Sequence, residues 1–199
     1  MKLTFDANCL IDLEEREGSF EELREIITYH ESKKVSVFFP AILASEKLRS
    51  GIYASNFQDF HIRSQSLSTR NIELLKPPFY LNLTFLNWSI FSNDQTEEIE
   101  KRIHHILFPN ISFSWKDYAI QNNLDPEDPS NLLLKIGNKW LNRKCDTLSL
   151  WCHIYYGNDV FVTRDKNFFK STKLPEIIKL GSNNILHPIN VLSRIRNPA

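Results

Sequence analysis

Along the chain, short β-branched and aromatic runs alternate with stretches whose apolar residues recur every three or four positions. That alternation marks strands separated by amphipathic helices. Residues 3–5 form an apolar run that stops at Asp6, and Cys9, Leu10 and Ile11 begin a new pattern behind Asn8, which reads as an N-cap. Residues 20–30 place Leu23, Ile26 and Ile27 on one side of a helix. Residues 35–39 read as a strand, with Pro40 suited to a first helical position. Residues 41–48 continue as helix, and Gly51 is a fitting stop.

The middle is dense in aromatics. Residues 79–91 alternate roughly until Phe85 and Leu86 break the phase, and they read as extended. Asp94 with Glu97 resembles a capping box ahead of a stripe of Ile99, Ile103, Ile106 and Leu107 that closes at Pro109. Residues 122–130 (NNLDPEDPS) form a loop, and Leu133, Ile136 and Trp140 mark a further helix.

The last third carries a clear sequence of signals. Asp146 opens a helix over residues 146–156 that is apolar on most sides, which implies burial between layers. Gly157-Asn158 is a turn, residues 160–163 a strand, and Asp165 follows at once. A short helix then precedes Ile185-Leu186. Strands separated by helices predict an α/β fold around a central parallel sheet. A length of 199 residues suits one domain with one well-buried core, residues 1–199, enlarged by an insertion over about residues 51–141.

Composition adds mainly exclusions. Zero formal net charge means that nucleic-acid binding has to come from a local patch. The cysteines Cys9, Cys145 and Cys152 form no CxxC pair and suit a reducing, cytoplasmic setting as small buried hydrophobes. No run approaches the roughly 20 apolar residues of a membrane span. The start, MKLTFDANCLIDLEE, turns acidic early and reads as a first strand rather than a signal peptide.

The candidate chemistry lies in four carboxylates. Asp6 and Asp165 each follow a strand, and parallel strands direct their carboxyl ends to one edge of the sheet. Glu46 shares the helical face of Ile42 and Leu43, an awkward place for an idle charge, and Asp146 opens a mostly apolar helix. Each residue alone has an ordinary explanation as a cap, a turn or a surface acid. Together they would repel and hold protons unless a cation neutralised them. All-oxygen ligation favours Mg²⁺ or Mn²⁺, ions that activate water and clamp phosphate oxygens. The ligand types therefore point to phosphodiester hydrolysis.

Two segments carry a family resemblance. FDANCLID resembles the opening of PIN-domain nucleases, and CDTLSLWCHIYYGNDVFVTRDKNF resembles their closing signature, ending in Thr163-x-Asp165-x-x-Phe168. The likeness covers about the first fifty and the last sixty residues. It implies a three-layer α/β/α sandwich and a Mg²⁺- or Mn²⁺-dependent endoribonuclease, often a toxin of the VapC type. Asp6, Glu46, Asp146 and Asp165 match the family's acidic positions, and Asn8 and Thr163 match polar positions that hold the carboxylates or a metal-bound water. Where many members place a further Asp, this chain has Asn167, which the resemblance ties to one metal, or to a second that arrives with substrate. The long aromatic middle departs from compact toxins and sets the toxin reading apart from the nuclease one.

Local charge names the substrate contacts. Arg143 and Lys144 beside Asp146, and Arg164 and Lys166 beside Asp165, are suited to an RNA backbone. Tyr80, Trp88 and Phe91 are candidates for stacking unpaired bases. Asp12 reads as a helix-surface acid, His153 as a core or rim histidine. Expected partners are RNA, an antitoxin or other regulatory protein, and a second copy of the chain, with no membrane. The alternatives are a non-catalytic PIN-fold module that binds protein or RNA through the insertion, and a flap-type DNA nuclease.

Overall fold

In the computed structural model, which describes residues 1–46 and 57–197, the expected strands assemble into a parallel sheet. Strands β1 (Lys2–Phe5), β2 (Ser36–Pro40), β3 (Glu73–Leu75), β4 (Val160–Val162) and β5 (Ile185–Leu186) lie in the order β3-β2-β1-β4-β5. Every pairing is parallel, with Leu3 opposite both Val37 and Val160. Helices α1 (Ala7–Glu15), α2 (Phe20–Glu31), α3 (Phe57–Ser66), α4 (Asp94–Leu107), α5 (Trp115–Gln121), α6 (Lys135–Tyr155), α7 (Leu174–Lys179) and α8 (Pro188–Arg196) supply the flanking layers.

Alternation along the strands splits the apolar residues between the two faces. Val160 and Val162 of β4 pack with Leu23, Ile26 and Ile27 of α2, whereas Phe161 between them packs with Trp151 of α6 and Phe168. Helix α2 contacts both α1 and α8 in one layer; α4 touches α6 and α7 in the other. The result is a three-layer α/β/α sandwich. Among the described residues no helix is long and apolar enough to cross a membrane, and the three cysteines are free and buried.

Several local expectations are corrected. Asp6, not Asn8, is the N-cap of α1, because Asn8 already has helical backbone and spends its side chain on tertiary contacts. Asp146 does not open a helix: it lies inside the 21-residue α6. An acid before an apolar run looks like a start signal, yet residues 135–145 contain no proline to interrupt a helix, and Lys135, Lys139, Leu141, Arg143 and Lys144 favour one. Gly137 is required near the start of α6, since an added Cβ would come within 2.1 Å of the Asn131 carbonyl oxygen.

Residues 41–45 form a 3-10 helix, Ala41–Ser45, and Glu46 caps it in extended backbone rather than riding on a longer helix. Lys47, Leu48 and Gly51, expected to finish that helix, lie outside the described residues. The capping box of α4 uses Asn93 and Thr96, one position before the expected pair. The aromatic segment is not a strand: Phe79 and Tyr80 lead into turns and a 3-10 helix, Leu86–Trp88, held by a bridge between Pro78 and Ile90. Within the enlarged middle segment, β3 joins the central sheet and pairs with β2.

Candidate active site

The strand order reverses between β1 and β4, both neighbours of the first strand having been laid down in opposite directions across the sheet. In open α/β sheets the crevice outside the carboxyl ends of strands at such a switch point is the natural ligand site. Asp6 follows β1 and Asp165 lies just beyond β4, so both stand at that crevice. Glu46 reaches the same edge, carried there by β2 and the short 3-10 helix.

Asp146 arrives from the opposite direction. Helix α6 leads through a tight turn into β4, so the helix runs back over the strand. From Tyr155 back to Asp146 the helix covers ~14 Å, and from Val160 to Asp165 the extended chain covers ~16 Å. These near-equal lengths bring Asp146 level with Asp165.

One hydrogen-bond network locks Asp6. Its Oδ2 accepts from the Asn8 amide at 2.6 Å and from the Thr163 hydroxyl at 2.7 Å. The second Asn8 amide hydrogen goes to Thr163 Oγ1 at 3.0 Å. That hydroxyl oxygen also accepts the Asp165 backbone N–H at 3.0 Å. Asn8 Oδ1 in turn accepts the Arg164 N–H at 2.9 Å, tying α1 to the turn after β4. Asn8 and Thr163 thus hold the carboxylate of Asp6, whereas at Asp165 Thr163 meets only the backbone N–H. Asn167 holds the Asp165 carboxylate only through its backbone: its N–H donates to Asp165 Oδ1, whereas its side-chain oxygen accepts from Lys173.

Two carboxylate oxygens remain: Asp6 Oδ1 and Glu46 Oε1 are buried without a hydrogen-bond partner. Burial raises the Asp6 pKa to about 6, with the charge of Asp165 adding to it against the Thr163 and Asn8 hydrogen bonds. Glu46 is pushed well above the usual carboxylate range by burial and then by Asp146 and Asp6. Asp146, 17 % of whose side chain stays exposed, is raised by burial and by Asp6 and Asp165, with Arg143 in partial opposition at 3.4 Å. The four acids from distant parts of the chain therefore share one electrostatic neighbourhood.

Whether this neighbourhood suits a cation is decided by its donors. Among the described residues, no three His, Cys, Asp or Glu side chains converge as a ready ligand set for one ion. Mg²⁺, however, takes one or two carboxylates and completes its octahedron with water and phosphate oxygens. The orphaned Asp6 and Glu46 oxygens are hard donors of that kind, in a pocket of like charge that a cation would relieve. The donor set fits a hard divalent ion bound in this manner.

The expected substrate contacts divide. Lys144 is excluded: it is 1 % exposed and paired at 2.5 Å with Glu100, itself fully buried. Position 144 lies about 200° around α6 from Asp146, so it faces α4 instead of the crevice. Arg164 is largely committed as well, its guanidinium paired at 2.5 Å with Asp12, which is buried and also accepts the Ser19 N–H. Arg143, half-exposed over the Phe108 ring, and the exposed Lys166 keep to the outer side. Asp12 is thus no surface acid; its place on the apolar stripe with Cys9 and Leu13 was the signal available in the sequence. His153 is a core residue bonded to Thr4 Oγ1.

Comparison of the chain with protein-family models, with curated proteins and with solved structures yields no match.

Proposed function

We propose that this protein is a PIN-like, divalent-metal-dependent endoribonuclease. The observation that carries this reading is the pair of buried, unpartnered oxygens on Asp6 and Glu46, within an acidic group whose members raise one another's pKa. A buried anion without a partner is costly and is kept where chemistry uses it. Asp6 and Glu46 would hold Mg²⁺ or Mn²⁺, with Asp146 and Asp165 alongside. Such an ion, when bound, lowers the pKa of a water and offsets charge on the scissile phosphate.

The chain's own groups do the rest. Thr163 and Asn8 fix the Asp6 rotamer so that Oδ2 is occupied and Oδ1 is left for a ligand. Thr163 and the Asn167 amide hold the loop bearing Asp165. Arg143 and Lys166 supply positive charge at the rim for a phosphate backbone.

The test is cleavage of single-stranded and structured RNA with and without Mn²⁺. Asp146→Asn and Asp165→Asn should each reduce cleavage at least about 100-fold, the upper end of the loss seen when mere supporting partners of metal ligands are changed. Equal cleavage by wild type and both variants would reject the mechanism. One observation favours a second reading, a non-catalytic binding module: the acids do not already converge as a ligand set. Calorimetric titration separates the two, since saturable Mn²⁺ binding below millimolar concentration supports the enzyme.

A further inference from the structure

A recess of about 800 Å³, within the size range of small-ligand sites, lies along the Lys144 side of α6. Ala44 and Ser45 line it, and the next residue in the chain is Glu46. Tyr80, Phe113, Trp115 and Trp140 stand in its walls beside several leucines and the acids Glu97 and Glu127, brought together by the long middle segment and the start of α6.

The polar atoms of these rings are already spoken for. The Trp115 indole N–H donates to the Pro126 carbonyl and that of Trp140 to the Ser112 carbonyl, each at 3.0 Å. The two indoles meet edge to face, centroids 5.6 Å apart. Lys144 contributes an ammonium over the Phe113 and Tyr80 rings at 3.8 and 4.2 Å, but Glu100 neutralises it. What the anchored rings offer a ligand is π surface. Glu97, half-exposed at the wall and paired with Lys101, adds an acceptor for N–H donors.

A flat, uncharged heterocycle with N–H donors at its edge matches these walls. We infer that the recess receives an unpaired nucleobase of the RNA strand whose phosphate lies at the carboxylates, a proposal that rests on the nuclease reading above. Stacking on rigid aromatic faces tolerates any base, and the Glu97 carboxylate imposes a preference among base edges. The recess would then position the strand relative to the acidic group.

The experiment is titration of tryptophan fluorescence with RNA decamers of adenosine, cytidine or uridine, in EDTA so that no cleavage occurs. Wild type should show saturable quenching. Trp115→Ala should weaken binding about tenfold, equivalent to ~1.4 kcal/mol of lost stacking, while Trp115→Phe stays close to wild type. Glu97→Gln, a change at a half-exposed position, should alter the ranking among the three decamers. Mononucleotides should bind at least about tenfold more weakly than the decamers.

No saturable quenching, or unchanged affinity in a folded Trp115→Ala protein, would overturn the subsite. Mononucleotides binding as tightly as decamers would overturn it too, in favour of a free-nucleotide site. Quenching without Mn²⁺-dependent cleavage would count against the nuclease alone. Cleavage with a Trp115→Ala protein unaltered in binding would count against the recess alone.

Discussion

Helix α6 carries two charged clusters on opposite sides, and they obey different rules. On one side Lys144 is paired with Glu100, and Tyr80 donates to the other Glu100 oxygen at 2.7 Å. That cluster is internally compensated, with cation, anion and hydroxyl closing on one another between α4 and α6. On the other side Asp146 joins three acids of like sign, and two of their oxygens have no partner at all. A compensated buried pair specifies packing and is weak ground for function. An uncompensated group of like charges at a sheet crevice needs something from outside the chain.

The largest expected effect would break this distinction if it failed. Lys144→Met strands the Glu100 charge in the interior and should destabilise the protein by about 3–5 kcal/mol, measured by urea unfolding. Normal stability with a loss of RNA affinity would instead return Lys144 to the role its sequence neighbourhood implied.

A pH series sharpens the other half. Asp6 has its pKa raised to about 6 from 3.8, so its contribution to stability is fully present below pH 4 and is lost as pH rises through 6, amounting to about 3 kcal/mol. Glu46 and Asp146 are raised in the same direction and extend the loss to higher pH. Thermal unfolding in EDTA should therefore show stability falling across this window, less steeply in Asp146→Asn. Millimolar Mn²⁺ should flatten the decline in wild type. A decline of equal size with and without Mn²⁺ would show that the acids do not share a metal.

The smallest effect concerns the rim. Lys166→Ala should weaken RNA binding a few-fold and lower the salt dependence by about one counterion, leaving stability unchanged. A filter-binding series across salt concentrations reads both quantities. An unaltered salt slope would remove Lys166 from the path of the strand.

Much of the frame was legible in the residues. Strands 35–39 and 160–163 and the helix over 20–30 emerged within a residue or so, because period and β-branching are local properties. The positions of Asp6 and Asp165 at strand ends were likewise readable. Strand β3 and helices α3, α5 and α8 went unseen: Glu73–Leu75 is too short for alternation to show, and Trp115–Gln121 too short for a stripe. Cap positions slipped by one or two residues wherever several side chains suited the role, as at Asn93 against Asp94.

By itself, then, the amino-acid order determined the alternation of elements, the parallel sheet and the two carboxylates that follow its central strands. Each of these depends on neighbours in the chain or on the shared direction of parallel strands. Tertiary structure alone decided which charges are partnered. Lys144 and Asp146 differ by two positions, and only the phase of an unbroken α6 and the presence of Glu100 across from it send one into the interior and the other to the crevice. Charge compensation is a property of the residues met in space, and those come from distant parts of the chain.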